Sequence, residues 1–166
     1  LESAYAKFSP ACDGVAELWF DDSNALRALA GTPQYAAVLA DEAHFIDPDS
    51  RVEILTEDIV IKDGPRPPQG VKNIELVKKR PDLTPEAFHR HWEIVHGPLG
   101  GSIPQVLRYV QSHTRLGAYR DGRQPPLDGV ALTWFVDTRA MRESATTPQY
   151  ETTRADEHNF VIEPLD

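Results

Sequence analysis

Hydrophobic positions in the second half of the chain change period several times. Over residues 71–79, Val71, Ile74 and Val77 sit among polar residues with partial alternation, which predicts a strand. Arg80-Pro81-Asp82 breaks it. Thr84 before Pro85 marks a helix start: a hydroxyl to cap the first amides, then a ring whose missing N–H costs nothing at the first position. Phe88, Trp92 and Val95 recur at spacings of four and three, the stripe of an amphipathic helix, and His96-Gly97-Pro98 is expected to end it. A second strand is predicted over residues 106–113. A third follows the Gly- and Pro-containing loop 121–126, over residues 129–135 (GVALTWF). Asp137 or Thr138 caps a second helix, and Thr147-Pro148 restarts a helical stretch to about residue 157. Upstream, residues 51–61 (RVEILTEDIVI) read as a further strand and 63–68 (DGPRPP) as a linker.

The chain also repeats itself. Asp13-Gly14-Val15-Ala16 recurs as Asp128-Gly129-Val130-Ala131, and Trp19-Phe20 as Trp134-Phe135. Thr32-Pro33-Gln34-Tyr35 recurs as Thr147-Pro148-Gln149-Tyr150, and Ala40-Asp41-Glu42 as Ala155-Asp156-Glu157, all at one offset of 115 residues. Chance pairing of about 35 positions gives roughly two identities. A period this long is a duplicated small domain, not a solenoid. The first copy lacks its beginning and the second its end. With Leu1 as first residue and Met141 as the only methionine, the expectation is a piece of a longer polypeptide. The predicted organisation is the back half of a first unit over residues 1–64, a linker over 65–70, and a second unit over 71–166 that lacks its last strand.

One complete unit reads βαββαβ, with helices on one face of an antiparallel sheet: a ferredoxin-like α+β sandwich. Such a unit leaves its other sheet face wet. Two tandem copies can cover those faces as a pseudo-dimeric α/β barrel, and joining them in one chain removes the translational cost of pairing.

The stretch from Arg80 to Leu99 (RPDLTPEAFHRHWEIVHGPL), with F-x-x-x-W followed by H-G-P-L, resembles the first-helix signature of the EthD family of dimeric α/β-barrel proteins. Arg108 to His113 (RYVQSH) resembles the family's second strand, and the doubled DGVA…WF and ADE…F segments its third strand and second helix. The resemblance implies a barrel of two ferredoxin-like sheets with a ligand cavity between each sheet and its helices. It says little of chemistry, because relatives in the barrel superfamily include lyases, isomerases, polyketide cyclases, monooxygenases and non-enzymatic helpers.

Composition narrows the partners. The 166 residues carry 17 Lys+Arg against 26 Asp+Glu, a net charge of −9, so nucleic acid and anionic membrane surfaces are not expected partners. No run of about 18 apolar residues is present to span a bilayer. Cys12 is the only cysteine, which excludes an intrachain disulfide and a cysteine-based zinc site and fits a reducing, cytoplasmic setting.

Six histidines are the natural candidates for chemistry, since imidazole titrates near neutral pH. At about 100° per residue, Trp92, His96 and His89 line one edge of the apolar helical stripe, with His91 on its other side. His96 sits in the last predicted turn, where the helix dipole favours the imidazolium and burial opposes it; a histidine balanced this way can act as general acid or base. The plainer alternative is a His96 that bonds a backbone group and fixes the Gly97-Pro98 turn. Strand alternation puts Tyr109, Gln111 and His113 on one face, where Tyr109 and His113 could bind or protonate a carbonyl or phenol. His89 and His91 are expected at the solvent or packed against the helix, with His89 and Trp92 also candidates for substrate contact. Trp134 and Phe135, like Trp19 and Phe20, read as core and cavity wall. The duplicated Asp41-Glu42 and Asp156-Glu157 pairs either supply a carboxylate to orient His96 or cap and salt-bridge the helix end. His89 and His91 point apart on a helix, His91 and His96 are off the i, i+4 spacing, and no HExxH, P-loop, G-x-G-x-x-G or G-x-S-x-G pattern occurs, so neither a metal nor a cofactor is expected.

Three functions stay open at this point. One is a cofactor-independent lyase, isomerase or cyclase working on a small apolar oxygenated molecule (aromatic, lactone or polyketide-like), with His96 transferring the proton and His113 or Tyr109 assisting. Another is a non-catalytic protein that holds such a small hydrophobic molecule for a partner oxidase. The third is a purely structural pseudo-dimer with a filled core. A homodimer beyond the intrachain pseudo-dimer is compatible with each.

Overall fold

The computed structural model describes residues 12–162. The predicted domain ends before residue 12 and after residue 162 lie outside the described residues. The chain divides into two compact units, Leu1–Val52 and Glu53–Asp166.

The first unit contributes two helices, α1 (Ser23–Ala30) and α2 (Pro33–Glu42). Each begins where a side chain caps free amides. The Asp22 carboxylate accepts from the amides of Asn24 and Ala25, each at 2.8 Å, and Thr32 Oγ1 accepts from Tyr35 N at 3.2 Å. No residue of either helix is buried. Residues 14–20, the counterpart of the predicted third strand, form no strand. In the second copy this segment is central and carries a ladder on each side; among the described residues it has no such ladders here.

The second unit is a four-stranded antiparallel sheet, β1 (Thr56–Lys62), β2 (Val71–Val77), β3 (Arg108–Thr114) and β4 (Gly129–Phe135), in the order β1-β3-β4-β2. The strand predicted over 51–61 starts at Thr56 and lies beside β3, in the same unit as the strands of the second copy. Register pairs Val71 with Phe135 and Val77 with Gly129, and on the other side of β4 pairs Arg108 with Trp134 and His113 with Gly129. After β4 come α5 (Thr138–Ser144) and α6 (Pro148–Glu157), capped by Asp137 and Thr147.

The first helix departs from the sequence expectation. It starts as α3 (Pro85–His91) behind the Thr84 cap but does not stop at His96-Gly97-Pro98. It widens into a π turn over Trp92–His96 and continues as α4 (Gly97–Gly101). Pro98 has no amide to give its i−4 carbonyl, and its ring crowds that carbonyl. The wider turn relieves this: Gly97 N bonds Trp92 O, five residues back. A Cβ on Gly97 would lie 2.9 Å from Ile61 Cδ1, so this segment sits close against β1 because position 97 has no side chain.

Helices cover one face of the sheet. Phe88, Trp92 and Phe160 pack there against Tyr109, Ala131 and Phe135 in the main core. Val110, Leu132 and Trp134 form a second cluster on the opposite face with Ile74 and Val130. At the start of β4, the repeated Asp128 is fully buried. It accepts from Lys79 N at 3.0 Å and Tyr119 Oη at 2.6 Å, and pairs with Lys78 Nζ at 3.1 Å. That ties the chain just past the end of β2 to the start of β4, at the Val77–Gly129 end of their ladder, a structural use of the first repeated residue. Among the described residues, no helix is long and apolar enough to cross a membrane.

Candidate functional site

The π turn decides which side chains meet. In a regular helix residues five apart diverge, but the i→i+5 turn aligns His91 with His96, and both reach one carboxylate. Asp156, on the last turn of α6, accepts from His96 Nδ1 at 3.1 Å and from His91 Nε2 at 3.0 and 3.1 Å, while Asn159 Nδ2 adds a third donor at 3.0 Å. Phe160 closes the group, its ring 4.7 Å from His96 and stacked 5.0 Å from His91. The repeated Asp-Glu pair thus supplies the carboxylate that orients His96. His91, expected at the solvent or on the far side of the helix, shares it.

Protonation follows from these contacts. Burial raises the pKa of Asp156, but the hydrogen bonds from Asn159, His91 and His96 outweigh it and keep the carboxyl below its usual range. An ionised carboxylate only accepts, so Nδ1 of His96 carries the proton and Nε2 keeps the lone pair. Burial pulls His96 below its usual value; the bond and charge of Asp156 oppose this without cancelling it. His96 is therefore a neutral imidazole, 7% exposed, held in one tautomer. Among the described residues Nε2 makes no hydrogen bond.

The sheet face under the helix holds a second cluster, and the predicted alternation of Tyr109, Gln111 and His113 is seen there. Gln111 Nε2 donates to Trp92 O at 2.8 Å and to Tyr109 Oη at 3.0 Å, and Trp92 Nε1 donates to the same hydroxyl oxygen at 3.3 Å. Gln111 Oε1 then faces His113 Nε2 at 2.9 Å, so that nitrogen donates and Nδ1 of His113 is the lone-pair nitrogen. Trp92 stacks on His113 at 4.4 Å and 18°, and His89 meets it edge-on at 4.6 Å. His113 Nδ1 and His89 Nε2 are both buried without a hydrogen-bond partner. Burial, with the neighbouring His89, pushes His113 down to about 3; burial also lowers His89 and carries Tyr109 far above its usual range. At neutral pH none of these groups is charged.

Of the residues singled out on sequence, Tyr109, His113, Trp92 and His89 therefore form one packed network, and His96 belongs to a different one around Asp156. Phe135 is core on the helix side. Trp134 points to the opposite face of the sheet. The helix–sheet interior is filled by Phe88, Trp92, Tyr109, Phe135 and Phe160. A recess of about 350 Å³ is lined instead by Ala145, Thr146, Thr147, Tyr150, Glu151 and Arg154, none of them among the expected site residues. Glu157, beside Asp156, is raised to about 7 by burial and the charge of Glu75 despite its ion pair with Arg154. Among the described residues, no group of three or more His, Cys, Asp or Glu side chains is placed to hold a metal. The signal that could have revealed the His91–Asp156 contact was the proline at 98, which a helix running on past His96 must accommodate.

No curated protein matches this chain. Among solved structures, an EthD family protein of Bacillus halodurans C-125 is similar at 22% identity and a TM-score of 0.45, over 56% of this chain and 88% of that one. A Lactobacillus acidophilus NCFM protein that carries a provisional monooxygenase name is similar at 14% identity and a TM-score of 0.48, over 86% of this chain; the chain spans 62% of its length. The family profile described as the EthD domain matches residues 3–49 and 80–163, most of the sequence, and the chain belongs to the EthD domain family.

Proposed function

We propose that this protein is a cofactor-independent acid–base catalyst of the lyase, isomerase or cyclase type, acting on a small apolar oxygenated molecule. One observation carries the reading: His96 Nδ1 lies 3.1 Å from the Asp156 carboxylate, which leaves Nε2 of a neutral, desolvated imidazole as the base. His91 draws on the same carboxylate, so Asp156 orients two imidazoles and stabilises whichever takes up a proton. The duplication supports a tandem pseudo-dimeric barrel as the setting, working in a reducing, cytoplasmic compartment. A second reading, a carrier that holds such a molecule for a partner oxidase, draws on the burial of Tyr109 and His113, each 3% exposed and engaged in the Gln111 network.

Deuterium incorporation next to the carbonyl of enolisable aryl ketones and lactones, followed by NMR in heavy water, tests the choice. His96→Ala should abolish exchange while ligand-induced shifts persist, and Asp156→Asn should slow exchange by about a hundredfold, the scale of a general acid–base contribution. Exchange undiminished in His96→Ala rejects His96 as the base. Binding without exchange in the natural protein supports the carrier.

A further inference from the structure

Two buried imidazole nitrogens take no part in the hydrogen bonding around them. His113 Nδ1 and His89 Nε2 are enclosed by protein, and among the described residues no group bonds either one. A buried polar atom left unpaired is costly, and two of them in one place point to something that joins them. Their rings have centres 4.6 Å apart, with 69° between the planes. His113 stands on β3 and His89 on α3, so only the packing of helix on sheet brings the two together. The sequence expectation against a metal weighed pairs within the helix, where His89 and His91 diverge. A pair shared between helix and strand is not bound by that spacing.

His113 is held as a metal ligand is held. Its Nε2–H is committed to Gln111 Oε1 at 2.9 Å, which leaves the lone pair on Nδ1. Gln111 is itself fully buried and fixed by its bonds to Trp92 O and Tyr109 Oη. A metal-bound histidine donates its other N–H to an oxygen in this way, which sets its tautomer and the direction of its ring. Trp92, stacked on the imidazole at 4.4 Å, blocks its rotation. Burial keeps the ring neutral at ordinary pH, so no proton competes for the lone pair.

Distance and charge fit the same ion. Two imidazoles bound to one metal at about 2.0–2.1 Å per nitrogen, at angles from square to tetrahedral, have ring centres about 4.5–5.2 Å apart. The observed 4.6 Å falls in that range. The strongest charges felt at His89 are four carboxylates, those of Glu86, Asp128, Glu57 and Glu93. Glu57 on β1 is also the cross-strand neighbour of His113, so its side chain rises from the same face of the sheet. Its carboxylate now lies 3.1 Å from Arg115 Nε, with the side chain 70% exposed and able to turn inward. Two ligands are therefore in place and a third stands beside them. His89 is half-buried, and an ion enters next to its ring.

We propose that His113 Nδ1 and His89 Nε2, completed by the Glu57 carboxylate, bind a divalent transition-metal ion of the Zn²⁺ kind, separate from the His96–Asp156 pair. Imidazole nitrogen suits such an ion and not Mg²⁺ or Ca²⁺, which take oxygen. The ion has no part in the proton transfer proposed for His96. Zn²⁺ is the probe, added to the whole chain at pH 7.5 and followed by calorimetry and by long-range ¹H–¹⁵N NMR of the imidazole nitrogens, assigned with the histidine variants. One Zn²⁺ per chain is expected, with the His113 Nδ1 signal moving from its lone-pair position and those of His91 and His96 unmoved. His113→Asn and His89→Asn should each weaken binding about a hundredfold or more, and Glu57→Gln about tenfold. His89 is on the helix surface side of the pair and bonded to nothing through Nε2, so His89→Asn keeps the test decisive should His113→Asn fold poorly. His96→Ala should bind Zn²⁺ unchanged, so failure of the acid–base reading leaves this test standing. Absence of saturable uptake, uptake that moves the His91 and His96 signals instead, or an affinity untouched by His89→Asn overturns the proposal. Zn²⁺ displaced by excess Mg²⁺ overturns the class of ion, and an affinity untouched by Glu57→Gln overturns the third ligand.

Discussion

Consider what acid does to His113. Its ring is 3% exposed, stacked on Trp92, and placed beside a second neutral imidazole at His89. Protonation puts a charge in that setting with no carboxylate against it, which is why its pKa falls from 6.5 to about 3. The unfolded chain has no such penalty and takes up the proton near 6.5. The contribution to stability is therefore complete above pH 6.5 and is lost progressively as the pH falls toward 3. Each pH unit in that window is worth about 1.4 kcal/mol, so moving from pH 7.5 to pH 5.0 should cost about 2 kcal/mol through this one residue. The lowered values of His89 and His96 act in the same direction, while Glu157, raised to about 7, opposes them by taking up its proton in the folded state first. Urea unfolding at the two pH values, read by tryptophan fluorescence, therefore measures the His113 loss as the difference between the natural protein and a variant without that imidazole. His113→Asn keeps a neutral donor for Gln111 Oε1 and removes the titration. It should lower stability by about 1–3 kcal/mol at pH 7.5 through lost packing, yet its stability should depend on pH less steeply by about 2 kcal/mol. Equal pH dependence in the two proteins, or an NMR titration of His113 near 6.5, would refute the reasoning.

Two further outcomes follow from close packing and burial. Gly129→Ala places a Cβ 2.4 Å from Trp92 Cζ3 and 2.8 Å from Ser112 O, neither able to move far, and should cost about 3 kcal/mol, read from urea unfolding; Gly97→Ala meets Ile61 Cδ1 at 2.9 Å, the end of a flexible side chain, and Gln111 Nε2 at 3.2 Å, and should cost less, about 1–2 kcal/mol. Tyr119→Phe removes a 2.6 Å donor from the fully buried Asp128 and should lower stability by about 1–3 kcal/mol, measured by urea unfolding.

Local chemistry wrote much of this fold into the sequence. Thr84, Asp137 and Thr147 each cap the helix predicted for them, because an oxygen that bonds an amide three residues on depends on nothing distant. The strand over residues 129–135 has the predicted bounds, and Tyr109, Gln111 and His113 share a face, because side-chain alternation is a property of the strand itself. The duplication identified Asp156 as a residue of note without saying what it touches.

What only tertiary structure decided involves partners far apart in the chain or a departure from regular geometry. The helix passes through Gly97-Pro98 because a π turn relieves the proline and packing of Gly97 against Ile61 rewards the continuation; a periodicity of 3.6 has no means to express that choice. The same turn carries His91 to an aspartate 65 residues away. The strand over Thr56–Lys62 found its place beside β3, and Lys72, Trp134 and Arg108 fell into one row, through ladder register, which is set when separate strands pair and not by any one of them alone.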